Sequence, residues 1–506
     1  MRLSFVRGAL AAGLAAGVSV APAVLSAQPG GVSAACSLDP NSPKELALLE
    51  LQLQRARQAA TPDQRQSTLK AMIKELDTKP ERFAKNPAGY NVRIAQVLSL
   101  WALEPGIGYT PLRGALGYQT APTETIDLIA KIDEAYKGIV TALPACENDV
   151  KGLRQSEVWL ALTRHALDAS NGGQMDSAEF YAKKSLQMSG DSPYPHYVLA
   201  NVANQKKDRT VAMMHWKHVI SIAGADTSYR ELKNSSLYML SVSQLDAAEA
   251  AQGAEKKAFA KDAAESFKAL LTATPDTPDA PNIMQSWADA LNMAGDSAAV
   301  PTIYADMLAK PTGYSDIALT TAGVIATRVN KTDDAIALFD AAAARNPVSR
   351  DALRNLAATY YGKDQFLKML APSQKLVAID PNNYDGWMMF AYAAQGLAKA
   401  AKVPAEKKAW TDTLVKYQTI AEGLPVKVDV ATFQRGAKDV SLTLSFEQQA
   451  AADGTYSVTV EFIDAAGTAV GSDTQSVGPI KKGETKRVVF KAVAEKVAGY
   501  RYKQIK

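Results

Sequence analysis

Cysteine and histidine are scarce in this 506-residue chain, which holds two of the first and four of the second. Two cysteines exclude a disulfide-framework domain and a four-cysteine zinc site. Four histidines are a thin supply for acid/base catalysis. The short signatures of catalysis are missing as well: there is no His-Glu-x-x-His, no Gly-x-Ser-x-Gly, no phosphate loop and no pair of Cys-x-x-Cys motifs. Ser67-x-x-Lys70 matches one fragment of a serine acyl-enzyme, but its companions Ser-Asp-Asn and Lys-Thr-Gly are absent, so the match reads as chance. Gly106-x-Gly108 lacks the third glycine of a dinucleotide loop, because Pro111 stands there and no strand precedes it. His215 and His218 lie three apart on a helix, yet no carboxylate or cysteine nearby completes a metal site, and they read as partly exposed residues flanking a buried Trp216. No catalytic, cofactor-binding or metal-ligating residue is assigned, no cofactor is expected, and the expectation is a protein that is not an enzyme.

Strong charge of either sign is absent too. Charged residues make up 21% of the chain, the hydrophobic class 47%, and the formal charge is +4, near +2 once Arg2 and Arg7 are set aside. Nothing in that balance calls for nucleic acid. The one long apolar run is at the start, where Arg2 and Arg7 precede an Ala/Gly/Leu/Val stretch with no acidic residue up to about Ala35. It reads as an export signal, cut after Ala27, Ala34 or Ala35. Pro22 and the glycines argue against a retained anchor. Export would place the protein in the periplasm or at the outer envelope, where Cys36 and Cys146 form a candidate disulfide. A competing reading takes Ser33-Ala34-Ala35-Cys36 as a lipidation box with Cys36 acylated, although Ser33 stands where such boxes usually carry leucine. Two unpaired thiols are the third alternative.

What the chain does have is a period. Leu319, Ala322, Gly323, Ala326, Ala335, Phe339, Ala342 and Pro347 are followed by Leu353, Leu356, Ala357, Tyr360, Met369, Leu376 and Pro381, and then by Trp387, Phe390, Ala391 and Ala394. Pro347 to Pro381 is a step of 34, and so is Ala178 to Ala212 in an earlier stretch that opens at Trp159. The spacing implies two helices per unit, with small residues where helices approach closely and prolines where they stop. Between the two stretches the register loosens: a longer helix pair is expected around Leu245 to Lys257, then a degenerate unit with Trp287, Ala288, Leu291, Tyr304 and Leu308. About seven units are expected from Trp159 to Leu424.

This pattern resembles the tetratricopeptide repeat (TPR), which runs Trp-x2-Leu-Gly-x2-Tyr, then Ala-x3-Phe-x2-Ala and a closing proline. The resemblance implies a mainly α fold, a right-handed α-α superhelical solenoid of helix pairs whose concave groove binds a peptide or a partner helix. Carried over residue by residue, the groove positions are Thr320, Val324, Thr327, Asp351, Arg354, Tyr361, Asp385, Met388, Tyr392 and Gln395. The charge clamp of peptide-carboxylate binders is not evident among them, so that specificity is not carried over.

Ahead of the repeats, residues 42–76 read as a helical pair broken at Thr61-Pro62, with Ser42 and Glu45 as a capping box, and further helices are expected at 91–103 and 124–143. Between the last two lies a stretch with no helical period, residues 104–123, read as a loop whose Tyr109, Leu112, Leu116 and Tyr118 pack down; the rival reading is a binding loop. From Pro425 the period becomes two. Val440, Leu442, Leu444 and Phe446 alternate with polar residues, as do Tyr456, Val458, Val460 and Phe462, and 488–490 and 500–505 add further strands. Six or seven short strands imply a small antiparallel β-sandwich, loosely similar to the immunoglobulin-like, FxLYD-type modules of some bacterial envelope proteins. The nine basic residues between Lys481 and Lys506 are expected on one solvated face, either guarding an edge strand or contacting an anionic envelope surface.

The expected domains are a signal peptide (1–35), an N-terminal helical region (36–157), the repeats (158–424) and the sandwich (425–506). The expected function is an extracytoplasmic scaffold of a bacterial cell envelope whose partner is an envelope protein or peptide. The alternatives are a carbohydrate-binding envelope protein and an enzyme with a site in the 104–123 loop or the sandwich.

Overall fold

The computed structural model describes Cys36, residues 44–275 and residues 277–506, so the export segment and Ser42 of the capping box lie outside the described residues. The chain forms two compact units, Met1–Gln244 and Leu245–Lys506. No helix among the described residues is long and apolar enough to cross a membrane.

The first unit contains α1 (Lys44–Arg57), α2 (Pro62–Thr78), α3 (Pro87–Ala102), the short α4 (Arg113–Leu116), α5 (Leu128–Ala142), α6 (Glu147–Arg154), α7 (Glu157–Asn171), α8 (Met175–Met188), α9 (Pro193–Gln205) and α10 (Arg209–Ala223). α1 and α2 break where Thr61 caps the second helix by accepting from the Gln64 amide at 3.3 Å. α3 begins earlier than residue 91, because Asn86 caps it through Gly89 with Pro87 at the first position. α5 begins later than residue 124, because Asp127 is its cap and accepts from the Ala130 amide at 3.0 Å. Leu46, Leu69, Leu98, Trp101, Ile129 and Ile132 are buried in one core with Cys36 and Cys146, which form a disulfide.

The 104–123 stretch is fastened to α2. Asp77 Oδ2 accepts the Gln119 and Thr120 amides at 2.8 and 2.9 Å, buried Glu104 pairs with Arg65, and Leu116 is fully buried. Gly117 has a φ of 107°, and a Cβ there would meet the Lys70 carbonyl oxygen at 2.5 Å, so a side chain would push the segment off the helix. Leu112 departs from the expectation: its backbone bridges to Thr125 while its side chain is exposed.

α11 (Arg230–Ala250) contains the division between the units. The second unit continues with α12 (Gly253–Ala273), α13 (Ala280–Ala294), α14 (Ala305–Ala309), α15 (Asp316–Arg328), α16 (Thr332–Arg345), α17 (Arg350–Gly362), α18 (Phe366–Ile379), α19 (Tyr384–Ala400) and α20 (Pro404–Glu422). In the first unit α7 packs with α8 and α9 with α10; in the second α15 packs with α16, α17 with α18 and α19 with α20. The segment after α13 is irregular because Pro301 falls in it, so it becomes a 3-10 turn followed by the five residues of α14.

One backbone feature recurs with the same step of 34. Gly173, Lys207, Asn330 and Asp364 all have positive φ, and each stands in the turn between the two helices of its unit. The amide of the following residue closes each turn: Gln174 to Ala169, Asp208 to Ala203, Lys331 to Ala326 and Gln365 to Tyr360, at 2.8 to 2.9 Å. This is a left-handed helix cap repeated unit by unit. Gly323 lets the turned-back helix close in, since a Cβ there would lie 2.5 Å from the ring of Phe339.

The C-terminal strands are β1 (Val426–Arg435), β2 (Asp439–Gln448), β3 (Gly454–Ile463), β4 (Ala469–Ile480), β5 (Thr485–Val493) and β6 (Gly499–Tyr502). They form two antiparallel three-stranded sheets in the orders β1-β2-β5 and β4-β3-β6. Val440, Leu442, Leu444 and Phe446 of one sheet face Val458, Val460 and Phe462 of the other in a single core. The basic residues do not gather on one face. Arg487 and Lys491 are on β5, Arg501 is on β6 in the other sheet, and Arg501 is occupied by Glu461 at 2.7 Å. Alternation fixes the side of one strand only, and the chain changes sheet between β5 and β6.

Within the second unit the sandwich docks on the turns between repeats. Asn382 donates to the Val426 and Ile505 carbonyls at 3.1 Å and accepts the Ile505 amide at 2.7 Å. Asn383 donates to the Val428 carbonyl and caps α19 through Gly386. At the preceding turn Asn346 and Arg435 converge on Asp316 and on the Ala498 carbonyl, at 2.8 to 3.2 Å.

Candidate functional site

The ten residues carried over from the repeat pattern lie on α15, α17 and α19, and none of them is buried. Their neighbours on the same helices, Leu319, Ala322, Leu353, Leu356, Phe390 and Ala391, are buried, so the helical period separates a core side from an open one. The ten are not equivalent. Thr320 and Thr327 donate their hydroxyls back to the Asp316 and Gly323 carbonyls of their own helix, at 2.7 and 2.9 Å, which spends the one donor of each side chain within the helix.

Two pairs link α17 to α19. Arg354 Nη2 donates to Asp385 Oδ2 at 3.2 Å, and the rings of Tyr361 and Tyr392 are 5.7 Å apart at 45°. Both pairs are 31 residues apart, one helical turn short of the repeat, because a side chain on one helix leans onto the preceding turn of the next. The two tyrosines are 46% and 42% exposed, with Phe366 edge-on to Tyr361 and Leu367 exposed beside it in sequence. Phe366 reaches this position because Gly396 has no side chain, as a Cβ there would lie 2.3 Å from the ring. Asp351, Val324, Met388 and Gln395 complete the face without a partner that ties them to one another. Behind it, buried Tyr360 donates to Asp340 at 3.0 Å, and burial followed by that carboxylate pushes its hydroxyl up to about 12, so it stays protonated and holds α16 to α17.

In the first unit the structure adds a residue that the sequence pattern does not supply. His196 of α9 lies against both His215 and His218 of α10. The spacing of 215 and 218 is visible on one helix, whereas His196 joins them only through the antiparallel packing of the pair. Among the described residues no group of three or more His, Cys, Asp or Glu side chains could hold a metal ion.

Among solved structures the chain is similar to a tetratricopeptide repeat protein from Parabacteroides merdae, with 13% identity over 52% of this chain and 98% of that one and a TM-score of 0.27. It is similar to YrrB, described as a TPR protein with an unusual peptide-binding site, at 14% identity over 53% and 100% with a TM-score of 0.23. A third is a thermophilic TPR protein from Thermus thermophilus, at 15% identity over 47% and 99% with a TM-score of 0.20. All three are TPR proteins. Superpositions at such scores do not bear on what this chain binds. No protein-family model matches the chain, and no curated protein matches it.

Proposed function

We propose that this chain is an extracytoplasmic interaction scaffold of a bacterial cell envelope, and that the open face of α15, α17 and α19 receives an extended peptide or a partner helix. The observation that carries the reading is the exposed Tyr361–Tyr392 pair beside the Arg354–Asp385 pair. Large exposed aromatics held rigid by a neighbour are the residues that dominate interface energies, because they bury much area at little entropic cost. The face has neither the enclosure nor the convergent polar groups of a small-molecule pocket. The Cys36–Cys146 bond and the N-terminal apolar run support an oxidising compartment outside the cytoplasm.

The test is capture from the protein's own envelope by the exported form, compared with Arg354→Ala, Tyr392→Ala and the double variant. Each single change should weaken the captured partner by about 1 to 3 kcal/mol, with circular dichroism unchanged. Undiminished capture by the folded double variant would refute this placement of the surface.

A further inference from the structure

We propose that the contact of His196 with His215 and His218 is an acid-sensitive latch, which ties the start of α9 to the second half of α10 while the rings are neutral and releases it when they take up protons. Three of the four histidines in the chain meet at this one place. The device lies in the first unit, so it does not depend on the partner face proposed for the second.

The contact suits neutral rings. Nδ1 of His196 and Nδ1 of His215 are 3.0 Å apart, so one ring donates and the other accepts. One proton added to the pair leaves that bond in place, because an imidazolium still donates to a neutral neighbour. A second proton turns both facing nitrogens into donors and sets two like charges against each other. His218 brings the third ring, stacked on His196 with centroids 4.9 Å apart and planes at 24°. It is exposed where the other two are half-buried, and a proton that it takes from water makes the next one harder to place.

The surroundings do not neutralise the cluster. α9 packs against α7, α8 and α10, and Trp216 of α10 shares a core with Leu240 of α11. Glu179 of α8 is taken by Lys183 and Lys206, Lys184 of α8 by Asp127, and Lys233 of α11 donates to the Gly224 carbonyl. Apart from the histidines, every other charged side chain of α7, α8, α10 and α11 is exposed. The charges that act on His196 are those of His215 and then His218, and the one that acts on His215 is that of His218. Among the described residues no carboxylate acts on either ring.

Burial first, and then the neighbouring imidazoles, hold His196 down to about 4 against an ordinary 6.5, and burial followed by His218 lowers His215. A histidine whose folded value is lowered adds stability that is present above its unfolded value and is lost as pH falls toward the folded one. The window of release therefore runs from about pH 6.5 down to about pH 4. Trp216 stands beside His215 and is fully buried in one core with Ala200 and Ala203 of α9, so release of the latch disturbs the packing of the pair.

The experiment is hydrogen exchange by mass spectrometry on the untagged full chain from about pH 7.5 to about pH 4.5, corrected for the intrinsic pH dependence of exchange. Peptides from residues 193–223 should lose protection by up to about tenfold per pH unit for each proton taken up, while those of α15 and α16 change less. In a histidine-selective NMR titration one ring should titrate near 4. His196→Gln removes the half-buried ring, and His218→Gln removes the third at an exposed position without a threat to folding. Each should flatten the acid response of 193–223, and His218→Gln decides alone where His196→Gln is unfolded at neutral pH. Protection of 193–223 that does not change with pH would overturn the proposal. So would four rings that all titrate near 6.5, or an acid response in the folded variants as steep as in the parent.

Discussion

Arg350 donates through Nε to Asp380 at 2.9 Å, and the same carboxylate accepts from the hydroxyls of Tyr500 and Tyr502, 120 and 122 residues further along the chain. Asp380 is the residue that ends α18 ahead of Pro381, and its side chain is fully buried. A carboxylate removed from water is tolerable only when its lone pairs are filled, and here an arginine and two phenols fill them.

Asp380→Ala therefore leaves a nearly buried guanidinium and two hydroxyls without their acceptor. The expected loss in urea unfolding of the second unit is about 3 to 5 kcal/mol. Asp385→Ala removes the partner of Arg354 from a pair that is 43% and 56% exposed. Its expected cost is only about 0.2 to 1 kcal/mol. Equal effects of the two substitutions would contradict the burial contrast.

The same cluster makes the second unit sensitive to alkali. Burial and then the Asp380 charge push Tyr500 and Tyr502 well above the ordinary phenol value of 10.0. A group whose folded value is raised adds stability that is present below its unfolded value and lost as pH rises. Stability should therefore fall from about pH 10 upward, by at most about 1.4 kcal/mol per pH unit for each tyrosine. Tyr500→Phe should remove about one proton from that slope in urea titrations at pH 9 to 12; an unchanged slope would show that Tyr500 ionises freely in the folded state.

The helical half was legible because its signals are local and repeated. Ala178 to Ala212 and Pro347 to Pro381 report a backbone that returns to the same conformation after 34 residues, and the positive-φ caps at Gly173 and Lys207, and at Asn330 and Asp364, recur with the same step. In the sandwich, β2 and β3 alternate cleanly and could be read. β4, with the sequence AVGSDTQSVGPI, buries only Val477 and Ile480, so its sequence carries no period of two. The sides of the basic residues were misread because they depend on which sheet each strand joins.

Lys207 is the member of the cap series that its residue type fits worst. Its φ is 61°, a region that costs a residue with a Cβ about 1 to 2 kcal/mol relative to glycine. Lys207→Gly should stabilise the first unit by about 1 kcal/mol or slightly less, once the added freedom of the unfolded chain is deducted. Thermal melting would check it. A fall in midpoint would mean that the lysine side chain makes a compensating contact.

The candidate face was legible as positions but not as pairs. The resemblance to the tetratricopeptide repeat implied Arg354, Asp385, Tyr361 and Tyr392; that they meet as two couples one turn out of register follows from the lean of side chains between packed helices. His196 illustrates the larger gap. It lies 19 residues before His215, and only the helical hairpin brings their nitrogens together. A cluster assembled across a turn leaves no spacing signature on either helix.

The Cys36–Cys146 bond closes a loop with a sequence separation of 110 and ties the first described residue to the turn between α5 and α6. Its cross-link restricts the unfolded chain, and the entropy of closing a loop of about 100 residues corresponds to about 4.7 kcal/mol before strain in the folded state is counted. Replacing both cysteines with alanine should therefore lower the unfolding free energy of the first unit by about 2 to 5 kcal/mol and leave the second unit unchanged. Intact mass of the exported protein tests the same bond from another side. A chain that begins between Gln28 and Cys36, two hydrogens lighter than its reduced form, is expected. A diacylglyceryl mass on Cys36 would instead mark it as the lipid-bearing first residue, with its sulfur used in a thioether and none left for Cys146. In that event the alanine pair should cost the first unit nothing attributable to loop closure, so the two measurements must agree.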